Sequence, residues 1–480
     1  MRCYSTRLDA LLTRPIAVPS LPARVLRRAR GDCARVWESL RKAVPSPIEP
    51  QTSPESALAQ LRWRIAAQPM RETYPPREKL RVVHVVGSLS AGGAERQLAY
   101  VARETQRRGD IEARVLTTHP SIGSAAHYLP LLEGACVTVE TAGAAADEDT
   151  LSRFEAQVDL HALLSPLPEF YRAWVVELAG EFLRLQPDVV HAWLDHTNMW
   201  AGIAALAVGV PHIVLSTRNV NPSHFPTISY PEFLPWYQAF ALSSRVQFVA
   251  NSNVGARDYA AWIGIDPARF TVIVNGFDPS ACVAPEAADM QSLREELGLV
   301  GKRVVLGVFR LSEEKQPHTF VDAVTQILAA DPGAIGLIAG EGPMQAELEE
   351  RIAVRADGRL RLLGRRNDVS ALLSIADVLL HTARQEGTSN ALIEAQAFGC
   401  PVVATRGGGT IDVVEHGGSG YLCEVGDAEA LAARVLSILQ HTPHRIELSQ
   451  RARALAQEKF GLDRMVDQTI ALYSRPKPNA

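Results

Sequence analysis

The sequence predicts two α/β domains in tandem, each built on a parallel sheet, facing one another across a cleft. Three observations lead there. From Lys79 onward, short apolar runs alternate with helical stretches, which is the pattern of βαβ units. That alternation breaks once, at 275–279 and the small-residue linker that runs on to Ala288, and then resumes. The length of 480 residues exceeds one ordinary domain, while 47% hydrophobic and 21% charged residues suit a well-cored globular chain.

In order along the chain, the strands of the first set are expected at 80–86, 113–118, 137–141, 189–194, 212–216, 247–250 and 271–274. The second set is expected at 304–308, 335–339, 360–363, 378–381, 402–405 and 421–424, with closing helices at 428–440, 444–459 and 462–474. The domain boundaries are accordingly 79–285 and 286–460, with a C-terminal helical segment, 461–480, returning to the first domain. Residues 1–78 stand apart as a basic, Arg- and Pro-rich extension, and 1–50 carry ten Arg or Lys against four Asp or Glu. An amphipathic helix is expected across 22–44. The extension reads as loosely helical or unordered, as an anchor for an anionic membrane surface, or as an overextended start.

Composition excludes several classes. A net charge of −4 gives no electrostatic footprint for nucleic acid. The six cysteines are scattered, with neither Cys-x-x-Cys nor zinc spacing, which fits buried thiols in a reducing compartment. No apolar h-region follows the start. The longest apolar stretch, 199–215, is broken by Pro211 and His212 and reads as a buried helix followed by a strand. The expectation is a cytoplasmic protein with at most peripheral membrane contact. Asp147-Glu-Asp149 lies in an Ala-rich polar segment and reads as a solvated loop, so no metal ligand set is expected.

The densest chemical signal runs from Gln385 to Thr405. Glu386 and Glu394 are separated by seven residues, Gly387 lets the backbone turn, and Thr388, Ser389 or Asn390 can cap the helix that carries Glu394. That helix stops at Gly399, before Pro401. A helix N-terminus after a strand offers N–H groups and a positive dipole end to a phosphate, and a carboxylate one turn inside can accept ribose hydroxyls. Arg310 and Lys315 follow the first strand of the second domain, where two cations would offset the charge of a diphosphate leaving group. In the first domain, the loop around Gly92 and Gly93 permits close backbone approach to a ligand. It lacks the dinucleotide fingerprint, because Gly87 and Gly92 are five apart.

Taken together, residues 80–475 resemble glycosyltransferase family 4, a retaining family with the GT-B fold of two Rossmann-like domains. The resemblance rests on Gly92-Gly93-Ala94-Glu95, Asp188 to Ala192, Asn251-Ser252, Val274 to Gly276, Arg310 with Lys315, Ala339 to Pro343, Leu363-Gly364, and the Glu386/Glu394 motif. It implies that Arg310 and Lys315 grip a donor diphosphate and that Glu394 binds the ribose. It also implies that Glu386, with backbone of Gly387, Thr388, Ser389 and Asn390, holds the transferred sugar and phosphate, while backbone near Gly364 to Arg366 meets the base. Retention of configuration without a metal, by front-face attack under a closing pair of domains, follows from the same resemblance.

The chain departs from the family pattern at Ser216-Thr-Arg-Asn219, where many members carry Thr-x-His; Arg218 either takes over a donor contact or serves the acceptor. His191 reads as a packed strand residue and His196 as a cleft candidate. The aromatic stretch 221–240, with Phe225 and Trp236, reads either as core or as the acceptor side. The partners expected are a nucleotide sugar donor and a saccharide or lipid-linked acceptor. A sugar-nucleotide epimerase of similar architecture and a non-catalytic subunit are the alternatives.

Overall fold

The computed structural model describes residues 54–70, 77–143, 164–225, 229–280, 285–355 and 357–474. The expected helix at 22–44 and the Asp147–Asp149 segment lie outside the described residues.

Helix α1 (Pro54–Ala66) precedes the first sheet and sends Leu61 and Ile65 into its core. The first lobe then runs β1 (Leu80–Val86), α2 (Gly93–Arg108), β2 (Ile111–Thr117), α3 (Leu129–Glu133), β3 (Thr138–Thr141), α4 (Glu169–Leu185) and β4 (Val189–Trp193). It continues through α5 (Asp195–Ala207), β5 (His212–Thr217), α6 (Phe233–Leu242), β6 (Val246–Ala250), α7 (Asn253–Ile263) and β7 (Phe270–Val272). The seven strands are parallel in the order β3-β2-β1-β4-β5-β6-β7. Helices cover both faces, so a central strand such as β4 is buried at every residue, His191 included.

The second lobe comprises α8 (Ala287–Glu296), β8 (Arg303–Val308), α9 (Pro317–Ala330), β9 (Ala334–Ala339), α10 (Gln345–Arg355), β10 (Leu360–Gly364), α11 (Val369–Ile375) and β11 (Val378–His381). After these come α12 (Asn390–Ala397), β12 (Val402–Thr405), β13 (Gly420–Cys423), α13 (Ala428–Gln440), α14 (Thr442–Phe460) and α15 (Leu462–Tyr473). Its six strands are parallel in the order β10-β9-β8-β11-β12-β13. Strand order reverses between β1 and β4 in one sheet and between β8 and β11 in the other, and loops at such reversals leave a crevice at the carboxyl ends of the strands.

Helix α15 packs on the first lobe. Met465, Val466, Leu472 and Tyr473 share a core with Val82, Leu98 and Val189, and the Tyr473 hydroxyl lies 2.7 Å from His191 Nδ1. The chain therefore passes between lobes twice, at 275–280 and at 460–462. The crossings touch, with Phe277 N–H donating to the Phe460 carbonyl at 2.9 Å. The stretch 199–215 is α5 followed by β5, and among the described residues no helix is long and apolar enough to cross a membrane.

Candidate active site

The crevice is a cavity of about 1750 Å³ lined from both lobes. On the second-lobe side, β8 ends at Val308 and the chain turns through Arg310, exposed on the cavity wall, into a short 3-10 turn, Glu313–Lys315. Gln316 takes a left-handed conformation (φ +48°), and the Thr382 hydroxyl bonds the carbonyls of Lys315 (2.9 Å) and Gln316 (3.1 Å). This fixes the backbone from which the Lys315 ammonium reaches Glu386 Oε1. His381, the last residue of β11 and buried, meets the other carboxylate oxygen through Nε2. An ionised carboxylate only accepts, so Nε2 carries the hydrogen. Burial alone would push the Glu386 carboxyl up. The Lys315 charge and the hydrogen bonds from Lys315 and His381 outweigh it and hold the group at about 2.

From Glu386 the chain turns against the first lobe. A Cβ on Gly387 would sit 2.5 Å from the Arg218 carbonyl oxygen, so only glycine permits this approach. The sequence-based expectation of a side-chain cap on α12 is corrected by the structure. Ser389 is the N-cap residue but forms no capping bond, the Thr388 hydroxyl donates to the Asn251 carbonyl, and the Asn390 amide is engaged across the lobes. Asn390 Oδ1 accepts from Gln97 (3.2 Å) and Asn275 (2.7 Å), and its Nδ2 donates to the Gly93 carbonyl (3.3 Å). The first turn of α12 is thus uncapped by side chains, with Ser389, Asn390 and Ala391 lining the cavity. One turn on, Glu394 also lines it and pairs with Arg96 of α2 at 2.5 Å.

The first-lobe wall begins at Ser90 to Gly93, ahead of α2. The Glu95 carboxylate folds over Gly92, where a Cβ would lie 2.0 Å from Oε2, and burial raises the Glu95 carboxyl. Arg218 sits deeper, its guanidinium 4.9 Å over the Trp193 ring and bonded to Asn275 Oδ1 at 2.5 Å; burial brings it down to about 9.

Of the residues singled out from sequence, the structure brings Gly92, Gly93, Arg218, Arg310, Lys315, Glu386, Gly387, Thr388, Ser389, Asn390 and Glu394 to one cavity. It leaves others out. Gly364 stands behind the wall, where its carbonyl accepts from Gly340 N–H at 2.8 Å; its φ of +66° turns the chain so that Arg365, Arg366 and Asn367 line the cavity instead. His196 packs edge-on against Trp200, Tyr230 and Phe233, away from the cleft. Trp236 is 2% exposed and belongs to the first-lobe core with Phe233, Tyr237 and Phe240. Phe225, just after the turn Pro222–His224, does not line the cavity either. The run 233–242 builds α6, whose rings, Trp236 among them, pack into the first-lobe core with His196 of α5 edge-on against Phe233, and burial of such rings outweighs presenting them to solvent.

Sequence reading missed Arg96, Asn275 and His381. Arg96 follows directly on the flagged Gly92–Glu95 loop and His381 ends a correctly placed strand, so each carried a positional signal. Asn275 stood inside the Val274 to Gly276 segment of the resemblance and at the interdomain break, but no role was read for its side chain. Among the described residues, no three His, Cys, Asp or Glu side chains are grouped to share a metal ion.

Both lobes match known families. Residues 91–281 match the model described as Glycosyltransferase Family 4, and residues 289–455 match Glycosyl transferases group 1. The Vi polysaccharide biosynthesis protein VipC/TviE of Salmonella typhi is 27% identical over 423 residues, covering 83% of this chain and 72% of that protein. The UDP-Gal:alpha-D-GlcNAc-diphosphoundecaprenol alpha-1,3-galactosyltransferase of Escherichia coli is 27% identical, covering 60% of this chain and 75% of its own length. Some further relatives are matched over only about half of their length. In fold, the chain is similar to Anabaena HepE, solved in complex with UDP and glucose, with a TM-score of 0.67 and 24% identity over 83% of this chain and 100% of that one. With a glycosyltransferase model matching each lobe, family 4 on the first and group 1 on the second, this chain is a glycosyltransferase of polysaccharide or glycoconjugate biosynthesis.

Proposed function

We propose that this enzyme moves a sugar, with retention of anomeric configuration and without a metal, from a nucleoside diphosphate sugar to a hydroxyl of a saccharide or lipid-linked saccharide. The observation that carries this reading is the convergence of Arg310, Lys315 and the uncapped N-terminus of α12 on one cavity with Glu386 and Glu394. Two fixed cations and a helix dipole suit a diphosphate. Glu394 would take the ribose hydroxyls, and Glu386 the hydroxyls of the transferred sugar. The names of the relatives favour the same substrates. One is called a UDP-galactose enzyme acting on a diphosphoundecaprenol-linked sugar, and HepE was solved with UDP and glucose.

In the reaction, the acceptor oxygen approaches the anomeric carbon on the face that the leaving group departs. The bond from that carbon to the phosphate oxygen breaks, the acceptor C–O bond forms, and the departing phosphate takes the acceptor proton. The protein contributes position and charge: Arg310 and Lys315 stabilise the leaving diphosphate as its charge grows, and closure of the cleft excludes water. Peripheral contact with the membrane that holds a lipid-linked acceptor belongs to this proposal.

The test is to incubate the protein with α-linked UDP- and GDP-sugars in excess chelator, with water as the acceptor, and follow the products by proton NMR. Nucleoside diphosphate and a first-formed α-anomer are expected. A β-anomer would overturn retention, activity restored only by added manganese would overturn metal independence, and an epimerised donor would indicate an epimerase instead.

A further inference from the structure

We propose that Arg96 is a positioning residue for the nucleoside end of the donor, reaching from the first lobe to set the carboxylate of Glu394. The proposal rests on the reading of Glu394 as the ribose acceptor and extends it to a residue of the opposite lobe.

Arg96 lies in the first turns of α2, and its Nη2 stands 2.5 Å from Glu394 Oε1, with side chains 24% and 18% exposed. The helix that carries it is anchored. One residue on, Gln97 exchanges two hydrogen bonds with the backbone of Gly276, its Nε2 donating to the carbonyl and its Oε1 accepting from N–H, both at 2.9 Å. Two turns further, Arg103 Nη2 donates to Asp278 Oδ2 at 2.5 Å. Residues 96, 97 and 103 therefore hold one face of α2 against the interlobe crossing, and Gln97 also donates to Asn390 of α12 at 3.2 Å, so the two helices that meet at Arg96 and Glu394 are tied together beside that contact. That distinguishes it from an exposed pair on mobile side chains, which contributes little.

A carboxylate has about four lone-pair sites. The contact to Arg96 occupies one on Oε1, which leaves enough to accept two hydroxyls of a ribose diol. A guanidinium is a permanent charge and a donor without acceptor capacity, so it orients the carboxylate and keeps it an acceptor without competing for the hydroxyl hydrogens. Because Arg96 comes from the lobe opposite α12, the nucleoside site is complete only when the lobes are together.

Calorimetry with UDP and GDP, and with their 2′-deoxy forms, tests this on wild type, Arg96→Gln, Arg96→Lys, Glu394→Gln and the Arg96→Gln/Glu394→Gln double variant, each checked for an unchanged melting transition. Arg96→Gln is expected to weaken binding of the ribonucleotide about two- to five-fold and to shrink the preference over the deoxy form. Arg96→Lys should restore part of both. In the Glu394→Gln background, Arg96→Gln should change neither. Unchanged or tighter binding by Arg96→Gln, while Glu394→Gln abolishes the preference, would overturn the role of Arg96 alone. A full preference retained by Glu394→Gln, or no binding of either nucleotide by wild type, would sink the ribose reading beneath it.

Discussion

Replacing Lys315 by Met should remove part of the stability that this protein loses in acid. In the wild type, the Glu386 carboxyl is held at about 2 against an ordinary value of 4.5. A depressed carboxyl stabilises the fold above its unfolded value and loses that contribution as pH falls through its folded one. The difference is worth about 3 kcal/mol at pH 7, of which about 2 kcal/mol is gone by pH 3. Lys315→Met removes the counter-charge but keeps most of the packing, so the carboxyl rises toward its ordinary value and the stability that its depression supplied at neutral pH is lost. Urea unfolding midpoints, followed by intrinsic tryptophan fluorescence from pH 7 down to pH 3, would measure this. The variant should be less stable by roughly 3 kcal/mol or more at neutrality, and the gap should close steadily below pH 5. A gap of constant size across the range would show that the ammonium and the carboxylate are not electrostatically coupled, and the argument for a clamped Glu386 would fail with it. The other depressed carboxyls, such as Asp278 and Asp331, are common to both proteins and cancel in the comparison.

His381→Ala should lower kcat roughly ten- to hundred-fold, the cost of one buried hydrogen bond to a charged group, while calorimetric affinity for UDP stays unchanged because Glu394 and Arg310 are intact. His381→Gln, which keeps an N–H near the same place, should recover much of kcat; equal loss in both variants would reduce His381 to packing. Trp236→Ala should cost about 3–5 kcal/mol of stability in denaturant titrations and leave transfer per folded molecule unaltered. Selective loss of transfer at full stability would return Trp236 to the acceptor side.

Most of the fold was legible because βαβ units write their period into the chain. The observed strands start or end within one or two residues of the expected ones, and β1, β11 and β12 coincide with them. Residues of the second-lobe cavity wall were legible for a related reason: Arg310, Lys315, Glu386 and Glu394 follow strand ends or lie near a helix start, which the period locates. What sequence could not supply was the direction a side chain takes once two lobes meet. Thr388 and Asn390 look like helix caps when only α12 is considered, but Asn251, Asn275 and Gln97 offer them partners across the cleft. The aromatics of α6 posed a similar ambiguity, since a stripe of Phe, Trp and Tyr has one composition whether it faces a ligand or a sheet.

The docking of α15 onto the first sheet has a consequence for synthesis. Leu472 and Tyr473 complete a core whose other members, Val82 and Leu98 among them, emerge from the ribosome hundreds of residues earlier. One side of the first lobe must therefore wait, apolar and uncovered, until α15 arrives. Folding units usually mature in order from the leading end of a nascent chain. Here a segment translated hundreds of residues later is needed to finish the core of the first sheet, so a ribosome that stalls before α15 would leave a sticky surface for chaperones to shield.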